Sequence, residues 1–205
     1  AYVPAALISK RVGDTDADAI LNRGNPYHLI HQADEYSIPG NDNKNRLLHT
    51  RDENFPYTQS QTALAVHLIR LLSIGYGLGT HLAAWGIFQL LWPDNALRRV
   101  LAVAIAALWP QFIFMSSVIN TDGLTYCLFT VSLYMALRQA LNGFTWRDSI
   151  WLGVALGAAL LTKASSLMLA GPVGLAILLN GRRVWKYGVV TLVLAVGIGG
   201  WWYVR

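Results

Sequence analysis

The chain has 205 residues, 54% of them hydrophobic and only 13% charged, with a formal net charge of +5. A soluble domain carries about 25% charged residues, so an ordinary soluble fold is excluded for most of the length. The charge divides unevenly: residues 1–61 hold six basic and eight acidic residues, a net of −2, and residues 62–205 hold ten basic and three acidic, a net of +7.

Residues 1–61 read as a polar, irregular segment. Gly24-Asn25-Pro26, Ile38-Pro39-Gly40-Asn41 and Asn54-Phe55-Pro56 are turn or loop signals. The short apolar pieces at 3–8 and 17–21 are expected to form helices, lying on a membrane surface or packed on protein. No basic region followed by an apolar stretch and a small-residue cleavage site is present, so no intact signal peptide is expected. With Ala1 in first place, the expectation is a processed N-terminus or a piece of a longer protein.

From Thr62 onward the chain becomes a series of apolar runs: 63–92, 100–119, 124–141, 150–161, 167–179 and 184–204. Pro93-Asp94 ends the first, and Trp109-Pro110 lies inside the second. A helix needs about 20 residues to cross a hydrocarbon core of about 30 Å. Runs one, two, three and six qualify, whereas four and five are short. The predicted fold is all-α: a multi-pass transmembrane bundle of about six segments over 62–205, preceded by an extracytoplasmic segment over 1–61.

Arg98-Arg99, Arg138 with Arg147, and Arg182-Arg183 with Lys186 occupy alternate loops and hold seven of the ten basic residues of this part. The positive-inside rule makes those loops cytoplasmic. Positive charge dispersed in this way argues against a nucleic-acid partner. Residues 1–61, the Asn120-Thr121-Asp122 loop, the Thr162-Lys163-Ala164-Ser165 turn and Arg205 then lie outside a plasma membrane. Trp92, Trp146, Trp151, Trp185, Trp201 and Trp202 sit near run ends, as an interfacial belt requires. Residues 147–163 make about 24 Å of helix at 1.5 Å per residue. The Lys163 turn would therefore stop about 6 Å short of the outer edge of the core, where non-helical backbone needs protein or water around it.

Arg70, Asp122 and Lys163 are ionisable groups in or beside apolar helices, and this topology brings all three to the outer face. Such groups are costly at membrane depth and mark internal sites. Lys163 and Arg70 each have a plain reading, a long side chain snorkelling to headgroups. Each also has a functional one: an ammonium point charge and a planar fork that hold a lipid phosphate. Asp122 reads either as a helix N-cap or, with Asn120, as a group facing a substrate cavity. His49, Glu53 and Tyr57, in the loop before the first run, are further cavity candidates, with simple solvation as the alternative for the carboxylate. His67 and His81 read as packing or interfacial residues, and Cys127 as a packing thiol. There is no Gly-rich phosphate loop and no metal-spaced His/Cys cluster, so no metal site is assigned. Gly75-x-x-x-Gly79 and Gly153-x-x-x-Gly157 match the small-residue helix-packing pattern.

Pro110-Gln111-Phe112, Ser116-Ser117 and Asn120-Thr121-Asp122-Gly123 together resemble a signature of bacterial membrane enzymes of the GT-C glycosyltransferase superfamily, close to the protein O-mannosyltransferase-like and aminoarabinose-transferase-like groups (family 39-like). The stretch from His67 to Ser73, the stretch from Gly157 to Lys163 and the terminal Gly200-Trp201-Trp202-Tyr203-Val204-Arg205 fit the same group in the same order, over residues 45–205. The resemblance implies transfer of a sugar from a polyprenyl-phosphate-linked donor to an acceptor glycan, lipid or protein at the extracytoplasmic face. It also implies membrane-lipid contacts and a divalent cation as an optional participant. The family's catalytic carboxylate lies in a first outer loop in an Asp-Glu context. The surroundings of Asp34-Glu35 do not match that context, so the catalytic acid is expected upstream of Ala1, and this chain alone is expected to be inactive. Phe55-Pro56-Tyr57 is similar to the Pro-Tyr element preceding the second helix of such enzymes. Two other classes stay open: a non-catalytic GT-C-like subunit or assembly factor working with other membrane subunits, and a transporter. The latter would call for an inverted repeat, which the sequence does not show.

Overall fold

A computed structural model describes residues 3–25 and 47–204. The turn signal at 38–41, the Asp34-Glu35 pair and Arg205 lie outside the described residues. Those that are described are helical or irregular, with no strand beyond one isolated bridge between Gly24 and Leu47. They fall into two units, Val3–Ile69 and Arg70 onward, and the division lies inside one helix.

In the first unit, α1 (Val3–Val12) and α2 (Ala17–Leu21) form where short apolar pieces were expected. Gly13 closes α1: its φ of +98° suits glycine, and its N–H donates to the Ser9 carbonyl at 2.8 Å. A single 3-10 turn (Arg51–Glu53) precedes α3 (Gln61–Leu91). The start of α3 is capped twice. Ser60 Oγ accepts from the Ala63 N–H at 3.1 Å, as an N-cap does. Asp16, from the turn before α2, accepts from the Thr62 N–H at 3.0 Å and from the hydroxyls of Thr62 and Ser60. A carboxylate there also faces the positive end of the helix dipole. The Ser60 and Thr62 hydroxyls lower the Asp16 pKa to about 2.

In the second unit the expected second run is broken into α4 (Ala96–Ala107) and α5 (Pro110–Ser117), which meet at 59°. Pro110 supplies no N–H and pushes the preceding residue out of the helical region; Trp109 accordingly has ψ 118°. Then follow α6 (Asp122–Asn142), α7 (Trp146–Thr162), a 3-10 stretch (Ala164–Leu169) and α8 (Ala170–Leu179). The last segment is α9 (Trp185–Ala195), a π-helical stretch (Val196–Gly200) and α10 (Trp201–Val204).

The core gathers Ala136, Leu152, Leu156, Ala159, Leu169, Val173 and Ala195. It is centred on α7, packed between α6 and α9. The Gly153-x-x-x-Gly157 pattern makes the close approach: a Cβ on Gly153 would lie 2.9 Å from the Thr191 carbonyl oxygen. One on Gly157 would lie 2.7 Å from Ile198 Cβ. The Gly75-x-x-x-Gly79 pattern is half used, since Gly79 packs on Cys127 Sγ and nothing approaches Gly75.

Two segments are long and apolar enough to cross a membrane, α3 with 31 residues and Arg182–Gly200 with 19. A third is added if the bent α4–α5 pair counts as one. At 21 residues α6 has the length, but Thr125, Thr130, Ser132 and Gln139 lower its hydropathy. Many of the exposed residues along α3 and α9 are apolar, among them Leu71, Leu78, Leu82, Leu192 and Val193, while Arg70 and Gln89 on α3 and Lys186 on α9 are exposed polar exceptions.

Candidate functional site

In the second unit α3 and α6 run parallel, because Gly123 packs on Ser73 and Tyr76, Gly79 on Cys127 and Gly86 on Tyr134. Helix α7 returns antiparallel to α6. The ends therefore sort themselves. Arg98 and Arg99 after α3, Arg138 in the last turns of α6 and Arg147 at the start of α7 share one end. There Lys186 lies over the rings of Trp146 and Tyr187, at 5.5 and 5.0 Å, which brings the start of α9 to the same end. The first residue of α6 and the last turn of α7 share the other end.

At that other end Lys163 Nζ donates to Asp122 Oδ1 at 2.6 Å, an ion pair between residues 41 apart in the chain. Just below it, Thr125 Oγ1 donates to Thr162 Oγ1 at 3.1 Å. The N-cap alternative for Asp122 is corrected: Asn120 does that work. Its Oδ1 accepts from the N–H groups of Asp122 and Gly123 at 2.9 and 3.1 Å, and its Nδ2 donates to the Met115 carbonyl at 3.2 Å. The Asp122 carboxylate is thereby freed for Lys163. Asp122 is the better-shielded partner, with 17% of its side chain exposed against 48% for Lys163.

Arg70 lies on α3 about one turn before Ser73, hence at the same end, and is exposed with no ion pair among the described residues. Of the two cations expected at one outer chamber, Lys163 is thus already paired with Asp122. One turn further along α6 from Asp122, Tyr126 helps to line a 350 Å³ cleft with Thr80, Trp109, Gln111, Phe112 and Phe129. It opens where Pro110 breaks the α4–α5 pair.

His49, Glu53 and Tyr57 belong to the first unit. Glu53 Oε2 is 2.6 Å from His49 Nδ1, and Oε1 is 2.7 Å from Arg23. Burial acts to raise the Glu53 pKa, but the hydrogen bonds from His49 and Thr50 and the Arg23 charge outweigh it, and the net shift is downward. The solvated-loop alternative for this carboxylate is thus corrected. Its place in this ion-paired cluster was legible only as the four-residue spacing to His49; Arg23 carried no signal. Tyr57 stacks on His67 with ring centroids 4.1 Å apart. Among the described residues no group of three or more His, Cys, Asp or Glu side chains is placed to hold a metal ion.

No protein-family model, curated protein or solved structure matches the chain.

Proposed function

We propose that the chain forms the membrane part of a GT-C-type transferase, moving a sugar from a polyprenyl-phosphate carrier to an acceptor at the extracytoplasmic face. The observation that carries this reading is the meeting of two stretches of the resemblance, Asn120-Thr121-Asp122-Gly123 and Thr162-Lys163, through the 2.6 Å ion pair. They meet at the end of the bundle away from the basic loops. In this reading six segments cross the membrane. The bent α4–α5 pair is one, α6 another, and α7 and Ala164–Leu179 are two shorter ones. Three of the four polar residues that lower the hydropathy of α6 support such a crossing because they face protein: Thr125, Ser132 and Gln139 are 5%, 0% and 1% exposed.

The proposed chemistry is displacement at the anomeric carbon. The acceptor hydroxyl forms the new C–O bond, the bond to phosphate breaks, and the lipid phosphate departs with the electron pair. A carboxylate takes the acceptor proton, and no residue of this chain is assigned that role. Lys163 and Arg70 stabilise the departing phosphate. The phosphate must compete with Asp122 for Lys163, which makes Asp122 a gate on that cation. Freed from Lys163, the carboxylate faces the sugar or a bridging divalent cation.

The test is a titration of polyprenyl-phosphate-linked sugar on the reconstituted protein. Arg70→Gln and Lys163→Gln are expected to weaken binding, and Asp122→Asn to preserve or tighten it by releasing Lys163. Unchanged binding in both cation variants would overturn the phosphate site and leave two snorkelling side chains.

A further inference from the structure

We infer that α1 and Phe55 form a lipid-facing collar around the first turns of α3, docking this segment onto the headgroup–acyl boundary of an anionic leaflet. The inference needs α3 to cross the membrane and is independent of the transferase reading.

The exposed positions of α1 are Val3, Ala6, Leu7, Lys10 and Arg11, which follow helical spacing and so form one face. Val3 is 69% and Leu7 59% exposed. The opposite face, including Pro4, Ile8 and Val12, is half-buried. A helix on a water-facing surface turns its polar side outward. Here the outward face is apolar for two turns and then basic, which is the composition of an interfacial helix. The stems of Lys10 and Arg11 lie along apolar surface while their charges reach phosphates.

The first unit fixes the level of this face. Gly13, at the end of α1, abuts the Gln61 side chain so closely that a Cβ there would collide. Thr15 Oγ1 donates to Gln61 Oε1 at 3.2 Å, and Asp16 holds Thr62. The basic end of α1 is thus pinned to the first turn of α3. Phe55, 83% exposed, meets Tyr57 edge-on at 5.8 Å, and Tyr57 stacks on His67, in the second turn of α3. At about 46 Å, α3 is longer than a hydrocarbon core of about 30 Å. Its first turns therefore project into the headgroup layer, and the two exposed apolar features project with them. The bilayer that must surround α3 is the occupant already at hand.

The test uses the full chain with Cys127→Ser and single spin-labelled cysteines replacing Leu7, Phe55 or Asp52, in bilayers of phosphatidylcholine with or without phosphatidylglycerol. Labels at 7 and 55 are expected to lose collisions with a water-soluble nickel chelate and gain them with oxygen, relative to the label at 52. In phosphatidylglycerol bilayers, Lys10→Gln with Arg11→Gln should restore nickel contact at 7. A label replacing Leu192 should stay in contact with oxygen throughout, reporting an intact bundle. Equal nickel access at 7, 55 and 52 would overturn the collar. Spin–spin broadening at 7 that vanishes on dilution with unlabelled protein would replace the lipid with a second copy of the chain. No response to the double substitution in either bilayer would overturn the anionic preference.

Discussion

Replacing Gly157 by Ala tests whether α7 and α9 meet as closely as their glycines imply. A Cβ at Gly157 lies 2.7 Å from Ile198 Cβ and 3.1 Å from the Ala195 carbonyl oxygen, whereas one at Gly75 meets nothing within 4 Å. Non-bonded carbons rest at about 3.5–4.0 Å, so Gly157→Ala must displace the backbone that carries Ile198, in the π-helical stretch after α9, by about 1 Å. Overpacking of this kind costs about 1–3 kcal/mol. Replacing Gly by Ala inside a helix returns about 1 kcal/mol, leaving Gly157→Ala neutral to about 2 kcal/mol less stable. Gly75→Ala meets only the favourable effect and should be about 1 kcal/mol more stable. Thermal unfolding of the purified protein in detergent reads the comparison. At about 2–4 °C per kcal/mol for a chain of this size, the variants should melt apart by at least about 2 °C, with Gly75→Ala higher. Equal shifts, or the reverse order, would refute the close approach.

Asp16→Ala should speed amide exchange in the first turn of α3 by about fivefold, since a helix cap contributes about 1 kcal/mol. The Asp16 pKa falls from 3.8 to about 2 on folding. Its contribution is therefore present above about pH 4 and is lost as the pH falls through about 2. Solvent screening holds it to about 1 kcal/mol, and exchange measured against pH checks both sign and window. Ser149→Ala should cost about 1–3 kcal/mol in thermal unfolding, because it strips the buried Gln139 side chain of its 2.8 Å hydrogen bond. Gln139→Met should cost less, since Gln139 Nε2 already lacks a partner among the described residues and Ser149 can turn to its own helix. Single cysteines at 98 and 163 in Cys127→Ser should label from opposite sides of intact cells, 163 from outside; labelling of 98 from outside would overturn the topology.

Hydrophobic runs and punctuation alone determined that residues from 62 onward are helical and roughly where most of those helices begin and end. Pro93 ends α3 and Pro110 marks the break in the second run. These are local effects of missing N–H groups, so residue type is enough to find them. The positive φ of Gly143 and Gly181, after the ends of α6 and α8, came only with the structure. Gly153 and Gly157 were legible as a packing pattern, but only the packed structure chose their partners on α9 and the π-helical stretch. The same holds for the candidate site. Alternating basic loops sorted Arg70, Asp122 and Lys163 to one end, whereas pairing Lys163 with Asp122 required the register between α6 and α7. That register comes from side-chain interlocking along the whole helix pair, in contacts such as Thr125 with Thr162 and Gln139 with Ser149. No local rule contains it. Asp16 makes the same point most simply, because a cap supplied from 46 residues away has no signature in the residues beside the helix it caps.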